Sequence, residues 1–216
     1  MSITIHTLAS PGLSVQDAQA WQDVPVSVAV DLEPGCQIDP AIRAQTQPGL
    51  PLALLGPAFT IRCTPPDFGA VVRALDEVAA GQVVVIAAGG VLSHAMIGEI
   101  LGGHLRAKGC AGLVVDGAVR DISDLGSWPD FPVFARSINP LGPTSARSGT
   151  INAPVEIGGC LVEPGDLIIG DRDGLVALPP ALAQARLNVA RAKLELEQQW
   201  IERLSAGTSA VEIFGL

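Results

Sequence analysis

Two short apolar runs, separated by a segment long enough for one helix, constrain the fold of this chain more than any other feature. Residues 83–87 read Val-Val-Val-Ile-Ala, and residues 113–115 read Leu-Val-Val. Continuous apolar runs of this length are typical of strands buried on both faces of a parallel sheet. Between them, Gly89-Gly90 indicates a turn, and a helix is expected from about Ser93 to Lys108, with Gly109 as its end. Strand, helix and strand in this order predict a right-handed βαβ unit.

The expected core face of that helix consists of apolar residues at helical spacing: Met96, Ile97, Ile100, Leu101 and Leu105. Further helices are expected at 15–21, where Ser14 is a candidate N-cap, at 69–80, where Asp67 is one, and at about 180–205. Further strands are expected at 59–64, 132–135, 155–157, 160–162, 167–169 and 175–178. These elements predict a single α/β/β domain over 1–216, with a core at about 56–178 and a long C-terminal helix.

Composition excludes several classes of protein. Of the 216 residues, 48% are hydrophobic and 16% are charged, which is typical of a globular chain and not of a disordered one. The net charge of −9 and the scattered basic residues argue against nucleic-acid binding, which needs clustered Lys and Arg. An uninterrupted apolar run of the ~18 residues that span a membrane is missing. The N-terminal residues do not resemble a secretion signal, so we expect a cytoplasmic protein that does not bind membranes.

The four cysteines, Cys36, Cys63, Cys110 and Cys160, are far apart in the sequence. Zinc sites and disulfide frameworks need closer or paired spacings. We therefore expect buried, reduced thiols.

Arg120 and Asp121 directly follow the second buried strand and its Gly117. Ligands of open α/β sheets bind beyond the carboxyl ends of strands, where an Arg can grip an anion and a carboxylate can hold a hard cation. Glu99, which twenty residues separate from Arg120, lies in a glycine-rich segment and adds an acidic group near backbone that a ligand can approach closely. The alternative is a turn ion pair, or a cap in which Asp121 accepts from N–H groups of a turn starting at Ser123.

Other kinds of site have little support in the sequence. Residues 88–93, Ala-Gly-Gly-Val-Leu-Ser, match neither the dinucleotide-binding glycine pattern nor a P-loop. His94 and His104 are ten residues apart on the expected helix, which separates them by about 15 Å along its axis and argues against shared metal ligation. Both lysines, Lys108 and Lys193, are expected on helices, which argues against Schiff-base chemistry.

Gly89-Gly90, Gly98–Leu101 and Gly109–Asp121 form a combined motif. It resembles the family of class II 4-hydroxy-4-methyl-2-oxoglutarate aldolases, which also includes the regulator of ribonuclease activity A. The likeness extends from about Gly56 to Leu178, and the C-terminal segment resembles that of the aldolase branch. The resemblance implies a swivelling-domain-like α/β/β fold.

For the site, the resemblance implies a divalent metal, Mg²⁺ or Mn²⁺, bound by Asp121 and water. Arg120 would grip the carboxylate or keto oxygen of a pyruvyl moiety, and Glu99 would order the water of the metal. The carboxylate of the substrate would bind to the backbone of four consecutive residues, Gly98, Glu99, Ile100 and Leu101.

The resemblance also implies trimers or pairs of trimers with sites between protomers. Asp124 matches an acidic residue that often follows the motif, and Glu197 would reach the site of a neighbouring subunit.

The implied activity is cleavage of 4-hydroxy-2-oxo diacids, such as 4-hydroxy-4-methyl-2-oxoglutarate, to pyruvate. Decarboxylation of oxaloacetate passes through the same enolate and is expected as a side activity. A metal and Arg120 would stabilise the enolate charge. The rival hypothesis is a non-catalytic regulator that binds a ribonuclease. The presence of Arg120, Asp121, Glu99 and Asp124 together favours the enzyme.

Overall fold

The computed structural model describes residues 2–7 and 12–215 of the chain. Its strands are β1 (Ile3–Ile5), β2 (Arg43–Ala44), β3 (Leu54–Arg62), β4 (Val83–Ala87), β5 (Ala95–Ile97), β6 (Gly112–Val119), β7 (Val133–Ile138), β8 (Gly149–Ile151), β9 (Val155–Ile157), β10 (Cys160–Val162), β11 (Leu167–Gly170) and β12 (Leu175–Leu178). Its helices are α1 (Val15–Gln19), α2 (Val26–Leu32), α3 (Gly69–Glu77), α4 (Glu99–Ala107), α5 (Ile122–Leu125), α6 (Pro180–Ser205) and α7 (Ala210–Phe214).

The centre of the sheet consists of four parallel strands in the order β3, β4, β6 and β7. At one edge β8 pairs antiparallel with β3, and β1 extends it; at the other edge β2 pairs antiparallel with β7. β11 pairs with the first half of β3 and with β12, while β9 and β10 form a separate hairpin. The strand, helix and strand predicted at the centre are β4, α4 and β6, which pair in parallel as expected.

Alternate side chains of the central strands are buried against two different layers. Val84 and Ile86 of β4 pack in a cluster with residues of α3 and α4, among them Val71 and Leu105. Val83 and Val85 pack on the opposite face with residues of β9–β12. The predicted α/β/β arrangement is therefore confirmed, since each face of a parallel sheet must be covered.

A third cluster adds a helical layer outside the second β layer. Trp21 and residues of α2 pack with Leu178 of β12 and with Ala183 and Ala190 of α6. Proline begins α6, where its missing N–H has no helical partner to lose. The long C-terminal helix is confirmed, and its buried residues lie in its first half.

The helix predicted from Ser93 is wrong at its start, because α4 begins at Glu99. Ala95–Ile97 instead form β5, which pairs in parallel with the end of β6, and the N–H of Ala95 donates to the carbonyl of Leu141 at 2.8 Å. Met96 and Ile97 are buried as predicted, but from this strand. Ile100, also predicted in the core, is 79% exposed.

The strand predicted to end at Asp116-Gly117 continues as β6 to Val119. Pairing explains the difference, because β5 and β7 both continue the sheet beside Ala118 and Val119. The first predicted helix is present as α1, and the hydroxyl of Ser14 accepts from the N–H of Asp17 at 3.0 Å, as expected of an N-cap.

All four cysteines are free thiols, as predicted, and three of them are buried. Burial raises the pKa of the Cys63 thiol to about 12, so this side chain stays protonated. Within the described ranges, the helices include none that is both long and apolar enough to cross a membrane.

Asp67 links the start of α3 to the loop that precedes β8. Its carboxylate accepts from the N–H groups of Gly69, Arg147 and Ser148 at 2.9–3.1 Å and from the hydroxyl of Ser145 at 2.5 Å. Burial alone would raise the pKa of Asp67, but these hydrogen bonds hold it well below its usual range. The predicted cap is present, and it also holds the loop.

Because the pKa of Asp67 is depressed in the folded state, the stability it contributes is complete above its ordinary pKa near 4 and is lost as the pH falls below that value. We expect Asp67→Asn to lower the free energy of unfolding by about 1–3 kcal/mol at pH 7 and by less at pH 3. Urea-unfolding midpoints of both proteins at both pH values measure this.

The matched control is Asp76→Asn, since Asp76 is exposed and, among the described residues, forms an ion pair only with Arg73 of the same helix. This variant is expected to change stability by less than about 1 kcal/mol at either pH. If Asp67→Asn lowers the free energy of unfolding equally at pH 3 and pH 7, the negative charge of Asp67 does not contribute to this cap.

Candidate functional site

The candidate site lies at the C-terminal end of β6, where Arg120 and Asp121 follow the strand. β4 ends opposite Asp116, and β5 occupies the next position along the last residues of β6. Asp121 has a left-handed backbone, with φ 56° and ψ 42°, which turns the chain from β6 into α5. Aspartate adopts this conformation more readily than most other non-glycine residues. Arg120 and Asp121 therefore lie beyond the carboxyl end of a central strand, as predicted.

The carboxylate of Asp121 joins two strand-to-helix junctions. Its Oδ2 accepts from the backbone N–H of Glu99, the first residue of α4, at 3.1 Å. The N–H of Arg120 donates to the carbonyl of Ile97 at 3.1 Å, so the ends of β5 and β6 are tied together twice. The twenty residues between Glu99 and Arg120 thus form most of α4 and all of β6, and bring both junctions to one place.

The alternative hypothesis for this motif is partly right. Arg120 Nε lies 3.5 Å from Asp121 Oδ2, which is the proposed turn ion pair. The side chain of Asp121 caps α4, however, and not the helix that follows it. The first N–H groups of α5 are satisfied by the backbone carbonyl of Asp121, to which Asp124 and Leu125 donate at 3.1 and 3.0 Å.

Gly98 is required at the junction between β5 and α4 because nothing larger fits. A Cβ at this position would lie 2.2 Å from Asp121 Oδ2 and 2.8 Å from Arg120 Cγ. These distances are far shorter than van der Waals contact, so the carboxylate could not reach the N–H of Glu99 past a side chain.

Gly142 has the same effect on the other side of Arg120. A Cβ at Gly142 would lie 2.2 Å from Arg120 Nη1, so the guanidinium passes between two glycines. Arg120 and Asp121 each keep 40% of the side chain exposed. Within residues 2–7 and 12–215, the guanidinium of Arg120 donates no hydrogen bond, which leaves its terminal nitrogens available to an anion.

Arg120 and Asp121 border a cleft of about 280 Å³. Its walls are formed by residues of α3, β5, the start of α4 and the loop before β8: Phe68, Val72, Ala95, Met96, Ile97, Gly98, Ile100, Leu101, Arg120, Asp121 and Pro143. The N–H groups of Ile100 and Leu101, in the first turn of α4, have no acceptor among the described residues. Free N–H groups at a helix N-terminus favour an anion.

Glu99 does not line the cleft, although its neighbours on both sides do. Its backbone N–H is taken by Asp121, and its side chain is exposed at the start of α4. The structure therefore brings Gly98, Ile100 and Leu101 to the cleft with Arg120 and Asp121, and places the Glu99 carboxylate beside it.

The chemistry of Asp121 fits a hard divalent cation. Its Oδ2 is engaged with Glu99 and Arg120, while Oδ1 accepts no hydrogen bond from the described part of the chain. Groups of three or more His, Cys, Asp or Glu that could hold a metal are not found among the described residues. Coordination by one carboxylate and several water molecules is typical of Mg²⁺, which keeps much of its hydration shell.

Two further predicted residues lie outside the cleft. Asp124 is exposed on α5, next to Asp121 in space through its backbone. Glu197 lies on α6 and pairs with Lys193 at 3.2 Å, and Lys193 also pairs with Asp31 of α2 at 2.8 Å. The predicted contact of Glu197 with the site of a neighbouring subunit stays a prediction.

A partly buried ion-pair network on the opposite face of the sheet was not predicted from the sequence. Asp116, 5% exposed within β6, accepts from Arg136 Nε and from the N–H of Gly158. Arg136 also donates to Asp39 at 2.6 Å. Burial opposes the charge of Arg136, but both carboxylates raise its pKa above the ordinary value. An aspartate inside an apolar strand run was the available signal, because buried charges need partners.

Residues 14–177 match the RraA-like family, described as Aldolase/RraA. A protein of Halalkalibacterium halodurans named "Putative 4-hydroxy-4-methyl-2-oxoglutarate aldolase" is 34% identical over 161 residues, which cover 74% of this chain and 76% of that protein.

Two solved structures share the fold. An uncharacterized protein from Pseudomonas syringae pv. tomato aligns with a TM-score of 0.81 and 25% identity, over 96% of this chain and 98% of that one. The RNA-processing inhibitor RraA from Thermus thermophilus aligns with a TM-score of 0.65 and 30% identity, over 73% of this chain and 93% of that one. Since the family match covers most of the sequence and includes both strands of the central βαβ unit, the chain belongs to the RraA-like (Aldolase/RraA) family.

Proposed function

We propose that this protein is a divalent-metal-dependent lyase that cleaves 4-hydroxy-2-oxo diacids, such as 4-hydroxy-4-methyl-2-oxoglutarate, to pyruvate. Decarboxylation of oxaloacetate is the expected side activity. One observation carries the proposal: Asp121, with one carboxylate oxygen free among the described residues, lies beside the available guanidinium of Arg120 at a cleft of small-molecule size. The aldolase name of the H. halodurans relative supports it.

Arg120 and the start of α4 bind the pyruvyl end of the substrate in this proposal. The terminal nitrogens of Arg120 grip the carboxylate or the keto oxygen, because a guanidinium matches paired oxygens. The free N–H groups of Ile100 and Leu101 add neutral donors on the same side of the cleft. Arg120 packs between Gly98 and Gly142, and this packing keeps its guanidinium oriented toward the cleft.

Asp121 would hold the divalent cation, Mg²⁺ or Mn²⁺, and Glu99 would order water next to it. When bound, the cation supplies Lewis-acid stabilisation of the charge that develops on the 2-keto oxygen. Water held beside Glu99 accepts the proton of the C4 hydroxyl. The C3–C4 bond then breaks, the C4 hydroxyl becomes a carbonyl group, and the electron pair stays on C3 of the pyruvyl fragment, whose negative charge Arg120 stabilises. C3 then takes up a proton, which gives pyruvate.

We expect Asp121→Asn to reduce metal-dependent pyruvate release by roughly 10²–10³-fold in kcat/KM, since the amide keeps the size and loses the charge that holds the cation. The amide oxygen still accepts from the N–H of Glu99, so the fold is retained. Pyruvate formation from 4-hydroxy-4-methyl-2-oxoglutarate and from oxaloacetate, with added Mg²⁺ or Mn²⁺ and after chelation, measures the effect.

Asp130→Asn is the matched control, because Asp130 is exposed, pairs with Arg106 and lies outside the cleft. It should keep the activity of the unmodified protein. If metal-loaded protein releases no pyruvate from any 2-oxo acid tested, or if Asp121→Asn keeps full activity, the proposed function is wrong.

Assembly into a trimer or hexamer is a further part of the proposal. The C-terminal helices support it: α7 folds back on α6, with the rings of Trp200 and Phe214 5.2 Å apart, yet Ile201, Val211 and Phe214 remain exposed. Exposed apolar clusters of this kind are typical of interaction surfaces. Light scattering of the purified protein should give three or six times the chain mass of 22.2 kDa. A monomer mass would contradict this part.

The second candidate function is binding to a ribonuclease, which the likeness to the inhibitor RraA of T. thermophilus favours. A regulator needs a contact surface and does not need the charge of Asp121. Under this hypothesis the unmodified protein and Asp121→Asn should capture a purified ribonuclease equally, at a fixed ratio, in a pull-down. Absence of stoichiometric binding in both would remove this candidate.

A further inference from the structure

The loop before β8, residues 139–148, runs from the end of β7 to β6 and β5. The N–H of Asn139 donates to the carbonyl of Val119 at 2.9 Å, and the carbonyl of Leu141 accepts from the N–H of Ala95 at 2.8 Å. The first half of the loop is therefore bound to both strands that lead to the candidate site.

Gly142, in this loop, packs against the end of the Arg120 side chain. A Cβ at Gly142 would lie 2.2 Å from Nη1 and 3.2 Å from Cζ of Arg120. Pro143, the next residue, lines the cleft. Since a guanidinium at the end of a flexible side chain moves more easily than a packed backbone, a displacement of this part of the loop would change where the guanidinium lies.

The second half of the loop is held by Asp67. Its carboxylate accepts from the hydroxyl of Ser145 at 2.5 Å and from the N–H groups of Arg147 and Ser148 at 3.0 and 3.1 Å. Asp67 is 9% exposed, and among the described residues no basic side chain forms an ion pair with it. N–H and O–H donors balance its negative charge instead, so the position of these donors depends on the carboxylate.

Asp67 is also bound to a second wall of the cleft. Phe68, the next residue in the chain, and Val72 line the cleft from the start of α3. The N–H of Phe68 donates to the carbonyl of Ser145 at 2.9 Å, and the N–H of Gly69 donates to the carboxylate of Asp67 at 2.9 Å. One side chain therefore joins the loop and the helix that form two walls of the cleft.

Resting on the proposed function, we infer that Asp67 is a positioning residue of the lyase, which holds the loop before β8 so that Gly142 keeps the guanidinium of Arg120 directed at the substrate. Because Asp67 does not line the cleft, it acts on the reaction through this loop. Loss of its charge releases the loop, and the guanidinium then has more than one place to lie. A misplacement of about 1 Å in a reacting group can lower a rate by ~10²-fold.

Asp67→Asn keeps the size of the side chain and removes its charge. In the purified, Mg²⁺-loaded protein, we expect kcat/KM for pyruvate release from 4-hydroxy-4-methyl-2-oxoglutarate to fall by about 10-fold. The assay temperature is one at which circular dichroism shows the variant to be fully folded, so lost stability does not contribute. Titration calorimetry with pyruvate is a second readout, and we expect weaker binding because the same guanidinium holds the carboxylate.

Two further variants accompany this one. Asp76→Asn is the matched control, because Asp76 is an exposed carboxylate of α3 that does not line the cleft, and it should leave kcat/KM unchanged. Gly142→Ala acts from the side of the loop, since its Cβ would displace the guanidinium of Arg120 directly. We expect it to lower kcat/KM by about 10-fold while the cap at Asp67 remains intact.

A double-mutant cycle separates positioning of Arg120 from a general effect on structure. Arg120→Lys keeps the positive charge and removes the guanidinium that packs against Gly142. In this background we expect Asp67→Asn to lower kcat/KM by less than about 2-fold, because the group that it positions is already absent. If Asp67→Asn does not fold, Ser145→Ala takes its place in the cycle, since it removes one donor to the carboxylate and leaves the carboxylate itself.

The outcomes separate this inference from the proposed function. If the unmodified protein releases no pyruvate, the proposed function is wrong and the inference falls with it. If Asp67→Asn is folded and keeps full kcat/KM, the inference is wrong and the lyase activity stands. If the losses from Asp67→Asn and Arg120→Lys multiply, Asp67 does not act through Arg120, which also overturns the inference. An unchanged kcat/KM in Gly142→Ala overturns the route through the loop.

Discussion

The hydrogen bond from the backbone of Glu99 to the carboxylate of Asp121 is the contact on which the rest of the site depends. It fixes the start of α4 against the end of β6, two points that are far apart in the chain. The cleft, the free N–H groups of the first helical turn and the direction of Arg120 all follow from that junction. Gly98 makes the contact possible because it leaves room for the carboxylate.

Much of this arrangement could be predicted from the sequence because it depends on local pattern. Two apolar runs identified β4 and β6. Arg120 and Asp121 were correctly predicted to lie beyond the carboxyl end of the second strand. The start of α4 could not be predicted in this way. Ala95–Ile97 is too short to show a period of two, and it is a strand only because the end of β6 offers it a partner.

The remaining features were missed because they depend on residues distant in sequence. The sequence spacing does not connect Asp116 with Arg136 or Asp39. A charged residue inside an apolar strand indicates only that it has a partner of opposite charge. The closeness of Gly142 to Arg120 has the same origin, since a loop before β8 reaches the end of β6. Ile100 is exposed because it lies in the first turn of α4, where it borders the cleft.

The left-handed backbone of Asp121 has a consequence for how this protein can evolve. A non-glycine residue in that conformation costs about 1 kcal/mol or more, and asparagine and glycine adopt it more readily than most side chains. At this position, substitutions that relieve the backbone therefore also remove the carboxylate. Selection for stability alone favours replacement of Asp121, whereas selection for the carboxylate of the site favours its retention. A member of this fold that had lost its chemistry would be expected to change here first.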